Sequence, residues 1–264
     1  MLPRKVNNNH EDNRLKSEGD IVGSVNKAFK NKNVDFLLKK RFSFISKHLN
    51  EYDKILEIGC GAGHSKHYIK NKNLKISDIT NYDFLDFKNI DCLNTPFQDE
   101  SFDCVFSLSL IHHISNPIKL FNEVGRILKK NGKYIILDTN CSFFLKLVII
   151  LTKSEKYDLD VNIFDKNINL TDPNDAFDSN NAVPSLIFKN FDKFNNNLNF
   201  DFEIKEIKFQ EFFTLLNSGG VIIDAPYLPL NNLMLKSMDK VDNLLSKMKK
   251  IFPLHIYACV TKKS

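Results

Sequence analysis

One stretch, ILEIGCGAGHSKHYIK (55–70), constrains the fold of this chain more than any other. An apolar run that contains Glu57 leads into Gly59, Gly61 and Gly63, and a helix-like segment follows. A strand, a glycine turn and a helix in this order are typical of a unit that brings its backbone close to a nucleotide-like ligand. Glycine at positions 59 and 61 indicates such an approach, because a Cβ atom there would stand between the backbone and the ligand.

The apolar pattern predicts strands and helices that alternate along the chain. Helices are predicted over 34–49 and from Pro117 to Asn131–Gly132, with Ser115 or Asn116 as the cap. Strands are predicted at 54–58, 74–78, 101–109, 133–139, 202–212 and 254–263. This alternation predicts an α/β fold with a doubly wound, mostly parallel sheet.

Size and composition exclude several classes of protein. The 264 residues, 42% of them hydrophobic, suffice for one globular domain with a full core. The polar start has no apolar signal segment, and the run FFLKLVIIL (143–151) is too short to cross a bilayer. Five cysteines, far apart in the sequence, match neither a zinc site nor a disulfide framework. We therefore expect a cytoplasmic protein without a metal and without stable membrane insertion.

Two acidic residues indicate which ligand the glycine turn holds. Glu57 precedes the first glycine, where a carboxylate would repel a pyrophosphate and favour a cation. Asp78 ends the next strand, where an acid can accept both hydroxyls of a ribose. The spacing G-x-G-x-G also differs from the dinucleotide pattern G-x-G-x-x-G, which argues against a dehydrogenase. S-adenosylmethionine combines a ribose with a sulfonium and an ammonium group, and it meets both conditions.

Four motifs in order then resemble class I S-adenosylmethionine-dependent methyltransferases of the small-molecule "type 11" kind, over about residues 53–139. LEIGCGAG is similar to the first family motif and ISDIT to its acidic strand end. DCLNTPFQDESFDCVFSLSLIHHI is similar to D-A-x-x-L-P-F-x-D-x-S-F-D-x-V-x-S, and EVGRILKKNGKYII to E-x-x-R-V-L-K-P-G-G. The resemblance implies a Rossmann-like fold with a seven-stranded sheet, S-adenosylmethionine as methyl donor and S-adenosylhomocysteine as product.

The resemblance also implies a set of cofactor-binding residues. It assigns the methionine end to the glycine turn and Ser107, the ribose to Asp78, and the adenine to Ile79 and to Asp91 with the Cys92 backbone. The turn residues included are Glu57, Gly59, Cys60 and Gly61.

The chain departs from the family pattern at three places. Thr95 replaces a leucine, Lys130-Asn131 replaces Pro-Gly, and the gap between Asp78 and Asp91 is short. The short gap and the stretch DPNDAFDSNNAVPSLIF (172–188) are similar to a subgroup found in surface-polysaccharide and other glycan gene clusters, whose members often carry a long lid.

Four segments follow from these expectations: an N-terminal helical segment (1–50), an S-adenosylmethionine-binding core (51–139), a helical lid insertion (140–200), and C-terminal strands with a helical insertion (201–264). A compact domain rarely keeps a stretch like 140–200 outside its sheet unless that stretch covers a site. In the last segment an apolar pattern predicts a helix packed on the sheet, or alternatively an adaptable binding surface. Its members are Met234, Met238, Val241, Leu245 and Met248.

His112 and His113 are the candidates for catalysis, because they follow a predicted strand at the edge where open α/β sheets bind ligands. One of them, preferably His112, could remove a proton from a hydroxyl acceptor, and the alternative is that both only pack or cap. His64 could contact the ligand or be an ordinary helix residue. In the lid and the later insertion, polar residues could orient a polar acceptor or simply face water; these are Tyr157, Asp175, Asn180, Asn181 and Tyr227.

The function favoured by the sequence is methyl transfer to a small polar acceptor, such as a sugar or a nucleotide-linked or phosphorylated precursor of a surface glycan. Three alternatives stay open: a nucleic-acid methyltransferase, a lipid or quinone methyltransferase, and a non-catalytic S-adenosylmethionine-binding protein. No nucleic acid partner is expected, because SLSL stands where an N-P-P-[YF] quartet would, and the net charge of +5 forms no basic block. FFLKLVIIL is the only support for a lipid acceptor. The sequence leaves the oligomeric state open.

Overall fold

A computed structural model describes residues 21–51, 53–153, 155–222 and 224–263. Residues 1–20 of the predicted N-terminal segment lie outside this range. The helices are α1 (Ile21–Lys30), α2 (Lys32–Ser46), α3 (Ser65–Tyr68), α4 (Pro117–Ile127), α5 (Phe143–Thr152), α6 (Val183–Lys189), α7 (Phe191–Asn195), α8 (Phe213–Leu216) and α9 (Asn232–Leu245), with a 3₁₀ turn at Ile111–His113. The strands are β1 (Ile55–Ile58), β2 (Leu74–Ser77), β3 (Phe102–Leu108), β4 (Leu128–Thr139), β5 (Phe202–Gln210) and β6 (His255–Lys262).

The strands form a single sheet in the order β2-β1-β3-β4-β6-β5. β1 to β4 pair in parallel, whereas β6 runs antiparallel to both of its neighbours. The mostly parallel α/β sheet predicted from the sequence is therefore confirmed. Its parallel strands end together at one edge, where Asp78, the residues after β3, and Asp138 lie.

The described residues form six strands, one fewer than the resemblance implies. At the position of a seventh strand, beyond β2, only Phe87 forms a bridge, to Ser77. Next to it the Asp86 carboxylate accepts a hydrogen bond from the Ile76 amide at 3.0 Å. A side chain therefore satisfies part of the edge of β2, and the short segment between Asp78 and Asp91 does not continue as a strand.

Both faces of the sheet are covered at its inner strands, whereas the edge strand β5 carries charged residues and is only partly buried. β1 and β6 are buried at every position. One face packs against α4, α6 and α7 in a cluster that includes Phe121, Phe194 and Tyr134. The other face packs against α2 in a cluster that includes Phe42 and Phe106.

Helix α4 begins as predicted but ends earlier. The Asn116 side chain caps it by accepting from the Lys119 amide at 3.0 Å, and Pro117 is its first residue. The predicted end at Asn131–Gly132 is wrong, because β4 begins at Leu128, which pairs with Phe102. Asn131 adopts a positive φ of 63° inside this strand, a conformation that asparagine tolerates better than most residues.

The segment predicted as a lid, 140–200, divides into three described parts. The first is α5, whose buried side packs in a separate apolar cluster. The last, α6 and α7, packs on the sheet through buried Val183, Ile187 and Phe194. Between them, the irregular chain over 155–181 runs along the sheet edge where the parallel strands end. There the Leu170 amide donates to the Ser115 carbonyl at 2.7 Å. The division of the chain into four segments stays a prediction.

Helix α9 does not pack on the sheet, and that prediction is wrong. Its buried positions are Leu235 and Asp242, whereas Met234, Val241 and Met248 of the predicted apolar face are exposed. The Asp242 carboxylate accepts from the amides of 212–214 at 2.8–3.0 Å and so caps the short helix α8. Because this buried carboxylate faces inward, the apolar stripe faces outward.

A buried ion pair joins α2 to the C-terminal strands. Arg41 donates to Glu211 through two nitrogens, at 2.8 and 2.7 Å, and the Tyr257 hydroxyl donates to the same carboxylate. Burial alone would raise the pKa of Glu211, but the Arg41 and His255 charges outweigh this effect and lower the pKa to about 2. Glu211 therefore stabilises the fold above its unfolded pKa of about 4.5, and this contribution is lost as the pH falls towards 2.

We expect Arg41→Ala to lower the free energy of unfolding by about 3–5 kcal/mol, because it leaves the Glu211 charge buried without its guanidinium partner. Urea unfolding at neutral pH measures the change. The control is the double variant Arg41→Met with Glu211→Gln, which removes both charges and keeps an acceptor for Tyr257. The double variant should be the more stable of the two, and a less stable double variant would contradict this account.

Candidate functional site

The glycine turn after β1 packs against the segment after β3 at Gly59 and faces open space at Gly61. Gly59 and Gly61 have φ values of 61° and 53°, a region that side chains disfavour. A Cβ atom at Gly59 would lie 2.5 Å from Leu110 Cδ1, so glycine allows the turn to contact the segment after β3. A Cβ atom at Gly61 would meet nothing within 4 Å. Gly61 therefore faces open space at the sheet edge.

The Asp78 side chain is hydrogen-bonded to the glycine turn at Gly61. Its carboxylate is buried and accepts from the Gly61 amide at 2.9 Å and from the Thr80 amide at 3.1 Å. The Thr80 hydroxyl oxygen is buried and has no hydrogen-bond partner within the described chain. Ile79, next to it, is 55% exposed. An acid, an unpaired hydroxyl and an exposed apolar side chain together fit a nucleoside.

Glu57 lies beneath the turn. Its carboxyl group is buried and accepts a hydrogen bond from the Ser65 hydroxyl. Burial raises the pKa of Glu57 to about 8, with a further contribution from the Asp78 charge, although the Ser65 hydrogen bond acts in the opposite direction. A cation bound nearby would favour the ionised form of this carboxyl group. Burial also raises the pKa of the neighbouring Cys60 thiol, so Cys60 is no nucleophile here.

The remaining cofactor-binding candidates, Asp91, Cys92 and Ser107, differ in their exposure to solvent. Asp91 is exposed, and its carboxylate accepts from the Leu93 amide at 2.8 Å. Cys92 is half-buried against the core, and burial raises the pKa of its thiol to about 12. Ser107 is fully buried, and its hydroxyl lies 3.0 Å from the Tyr134 hydroxyl. A role for the Ser107 side chain in ligand binding would require this hydrogen bond to break.

The E-x-x-R motif on α4 fixes the loop that follows Asp91 and Cys92. Arg126 donates to the carbonyl of Phe97 at 2.7 Å and to that of Thr95 at 3.1 Å. The Thr95 hydroxyl donates to Glu123 at 2.6 Å. Thr95, which replaces a family leucine, thus takes part in the same network. This motif acts by positioning the loop.

His112 is held by a buried carboxylate. Its Nδ1 lies 2.5 Å from Asp138 Oδ1, and both residues are nearly inaccessible to solvent. The second oxygen of Asp138 accepts from the Leu110 amide at 3.0 Å and from the Ile111 amide at 2.7 Å. Burial lowers the pKa of His112, but the Asp138 charge and hydrogen bond more than offset this, and the pKa is raised. Because Nδ1 donates to Asp138, Nε2 is the nitrogen that can accept a proton.

His113 and Glu155 lie beside His112. One ligand-capable atom of each of the three residues lies within 4.8 Å of the other two. His113 Nδ1 is 3.2 Å from the Asp178 carbonyl, so this nitrogen donates and Nε2 accepts. Burial and the His112 charge lower the pKa of His113 to about 4. Burial raises the pKa of Glu155, but the two histidines and an Asn181 hydrogen bond outweigh it, and the carboxyl pKa is lowered.

The irregular chain over 155–181 reaches this group through two asparagines. The Asn181 side chain donates to Glu155, and the Asn180 amide donates to the His112 carbonyl at 2.6 Å. The structure thus brings Asn181 together with the histidines. Tyr157 packs instead in the apolar cluster beneath α5, and Asp175 accepts from the Phe177 amide at 3.0 Å in a turn.

Two other candidates lie near the N-terminal helices. The Tyr227 ring lies close to Gly219, at a loop that receives a hydrogen bond from Asn31. His64 Nε2 lies 3.3 Å from the Ser24 hydroxyl of α1. Burial lowers the pKa of His64 to about 4, so this imidazole is neutral at pH 7. Helix α1 therefore covers the chain that leaves the glycine turn.

Known proteins with a similar sequence or fold include methyltransferases. A family model described as a methyltransferase domain matches residues 56–136, which include the glycine turn, Asp78 and both histidines. The crystal structure of a SAM-dependent methyltransferase from Archaeoglobus fulgidus has the same fold, with a TM-score of 0.51 at 16% identity over 86% of this chain and 93% of that one. Residues 56–136 thus form a class I S-adenosylmethionine-dependent methyltransferase domain. S-adenosylmethionine is the methyl donor of this class.

Curated relatives of the methyltransferase domain differ in the acceptor that their names give. A sterol 4-C-methyltransferase of Caenorhabditis elegans is 27% identical over 129 residues, which are 42% of this chain and 39% of that protein. A tRNA U34 carboxymethyltransferase of Campylobacter curvus is 29% identical over 118 residues, 38% of this chain and 39% of that protein. The chain spans about two-fifths of the length of these relatives.

Asp138 and Glu155 were absent from the sequence-based candidates, although the structure places both beside His112. The sequence could have identified Asp138 as a site residue, because Asp138 ends an apolar strand at the same sheet edge as Asp78. The sequence could not have identified Glu155, because Glu155 lies in an irregular segment whose path the sequence pattern does not predict.

We expect Gly61→Ala to weaken S-adenosylmethionine binding by on the order of tenfold, about 1.4 kcal/mol, because the new Cβ projects into the space beside Asp78. The substitution meets no protein atom within 4 Å, so its cost to folding should be limited to the backbone strain, about 1–2 kcal/mol. Isothermal titration and urea unfolding measure the two effects.

Gly220→Ala is the matched control, because Gly220 also has a positive φ, 79°, but lies in the loop that follows α8. It should show comparable strain and unchanged cofactor affinity. Equal affinity for the Gly61 variant and the unmodified protein would place the ligand elsewhere.

Proposed function

We propose that this protein transfers a methyl group from S-adenosylmethionine to a hydroxyl group of a small polar acceptor, with His112 as the general base. The observation that carries the proposal is the buried pair of His112 and Asp138 at the sheet edge, beside the glycine turn. Gly59 contacts Leu110, two residues before His112, so the glycine turn and the segment that carries the imidazole are neighbours at the sheet edge.

The chain's own residues provide the binding site for the donor. The open side of Gly61, the Asp78 carboxylate and the exposed Ile79 would hold the nucleoside. Glu57 would favour the positively charged methionine end. When bound, S-adenosylmethionine supplies a methyl group that is already activated by the sulfonium. The main task left to the protein is to hold the acceptor oxygen in line with that methyl group.

His112 is suited to the proton transfer that a hydroxyl acceptor requires. Asp138 fixes the Nδ1 proton and the ring orientation, so Nε2 can accept the hydroxyl proton as the oxygen–methyl bond forms. Asp138, with its lowered pKa, then stabilises the imidazolium. His113 is neutral at pH 7 and would orient the acceptor rather than carry the proton.

The walls around His112 favour a polar acceptor. His113, Glu155 and Asn181 present donors and acceptors within a buried region, and such groups recognise hydroxyl-rich molecules by hydrogen bonds. A sugar, or a nucleotide-linked or phosphorylated precursor of a surface glycan, has this chemistry. The names of the relatives do not decide the acceptor, because they include both a sterol and a tRNA enzyme.

Two measurements test the proposal directly. Isothermal titration should detect binding of S-adenosylmethionine and S-adenosylhomocysteine and none of NAD. Transfer of a labelled methyl group to a panel of free and nucleotide-linked sugars should identify an acceptor. Cofactor binding without transfer to any hydroxyl compound, together with transfer to a thiol or an amine, would contradict the proposed acceptor class.

The pH dependence tests the base. His112 must be neutral to accept a proton, and its pKa is raised above 6.5, so we expect kcat/KM to rise with pH and level off above that value. Asp138→Asn removes the interaction that raises this pKa. The acidic limb of the profile should therefore move to lower pH, while the plateau falls because the ring is no longer oriented.

His112→Gln should lower turnover by roughly 10²–10⁴-fold and remove the acidic limb, while the affinity for S-adenosylmethionine stays unchanged. His113→Gln is the matched control: it should raise KM for the acceptor and leave the acidic limb in place. A His112 variant with normal turnover would show that the transfer needs no base.

A further inference from the structure

An apolar surface lies on the outer side of α5 and on the chain just after α9. We define this apolar face by six exposed side chains: Phe143, Leu147, Ile150, Leu151, Met248 and Ile251. Leu151 is 72% exposed and Phe143 56%. The two parts are adjacent, because the amides of Phe143 and Phe144 donate to the carbonyls of Lys250 and Ile251 at 2.9 and 3.1 Å. Contiguous exposed apolar groups of this kind mark interaction surfaces.

The fold holds this face outward. The opposite side of α5, Leu145 and Ile149, is buried with Phe212 and Leu254 in a separate apolar cluster. On α9, the buried Asp242 caps α8 and fixes the helix rotation. Neither helix can turn its exposed apolar residues inward without breaking these contacts.

The same surface is basic. Lys247, Lys249 and Lys250 are exposed beside Met248 and Ile251, and Lys153 is exposed at the end of α5. The two segments 140–153 and 243–253 contain no Asp or Glu. Exposed apolar side chains bordered by lysines, on two segments that lack carboxylates, are the pattern of helices that lie in the surface of an anionic membrane.

We propose that this face docks the protein on the surface of an anionic phospholipid bilayer. The apolar side chains enter the boundary between head groups and acyl chains, and the lysines contact the lipid phosphates. A second copy of the chain fits less well, because the symmetric contact would bring two lysine-rich surfaces together. None of the helices in the described ranges is long and apolar enough to span a membrane.

Vesicle co-sedimentation tests this proposal without any dependence on methyl transfer. The full chain should bind phosphatidylcholine vesicles that contain phosphatidylglycerol, bind pure phosphatidylcholine vesicles more weakly, and lose affinity as salt is added. Lys249→Glu with Lys250→Glu should lower the partition coefficient on the anionic vesicles by at least about tenfold. Leu151→Ser should lower it on both kinds of vesicle.

Matched controls separate this face from general effects of charge and hydrophobicity. Lys70→Glu with Lys72→Glu changes the same charge at exposed positions near β2, and Leu233→Ser removes an exposed leucine at the far end of α9. Both controls should bind like the unmodified protein. Two outcomes would overturn the proposal: equal binding by the Lys249/Lys250 variant and its control, or no vesicle binding with a dimer in light scattering that Leu151→Ser dissociates.

Discussion

The candidate site depends on the hydrogen bonds that the buried Asp138 carboxylate accepts. One oxygen holds His112, and the other accepts the amides of Leu110 and Ile111, so a single buried charge fixes the chain that leaves β3. Leu110 in turn contacts Gly59. The end of β4 therefore sets the distance between the glycine turn and the imidazole. Such a carboxylate is tolerable in the interior because every partner is a hydrogen-bond donor.

The sheet edge carries two pairs of ionisable residues with different tasks. Glu57 and Asp78 flank the glycine turn, and because burial raises the pKa of Glu57 to about 8, a bound cation would favour ionisation of its carboxyl group. His112 and Asp138 lie one and two strands further along the sheet, where the proposed base would accept the proton of a hydroxyl acceptor. Parallel strands place both pairs at one edge, because their carboxyl ends coincide.

Much of the fold followed from local patterns. Six strands appear close to their predicted positions, since runs or alternations of apolar residues between turn signals report burial on both faces or on one face of a strand. The end of α4 and the packing of α9 did not follow. The first depended on pairing between Leu128 and a strand distant in sequence, and the second on a single buried carboxylate, Asp242.

By itself, the sequence determined the α/β class, the glycine turn with its two acids, and the place of the histidines after β3, because each depends on residues close together in the chain. The tertiary structure alone decided that Asp138 orients His112 and that Glu155 and Asn181 meet it, since these contacts join segments whose relative positions no local pattern encodes. It also decided which side of α5 and α9 remains exposed. That outcome depends on competition for burial across the whole molecule, which a helical repeat cannot reveal.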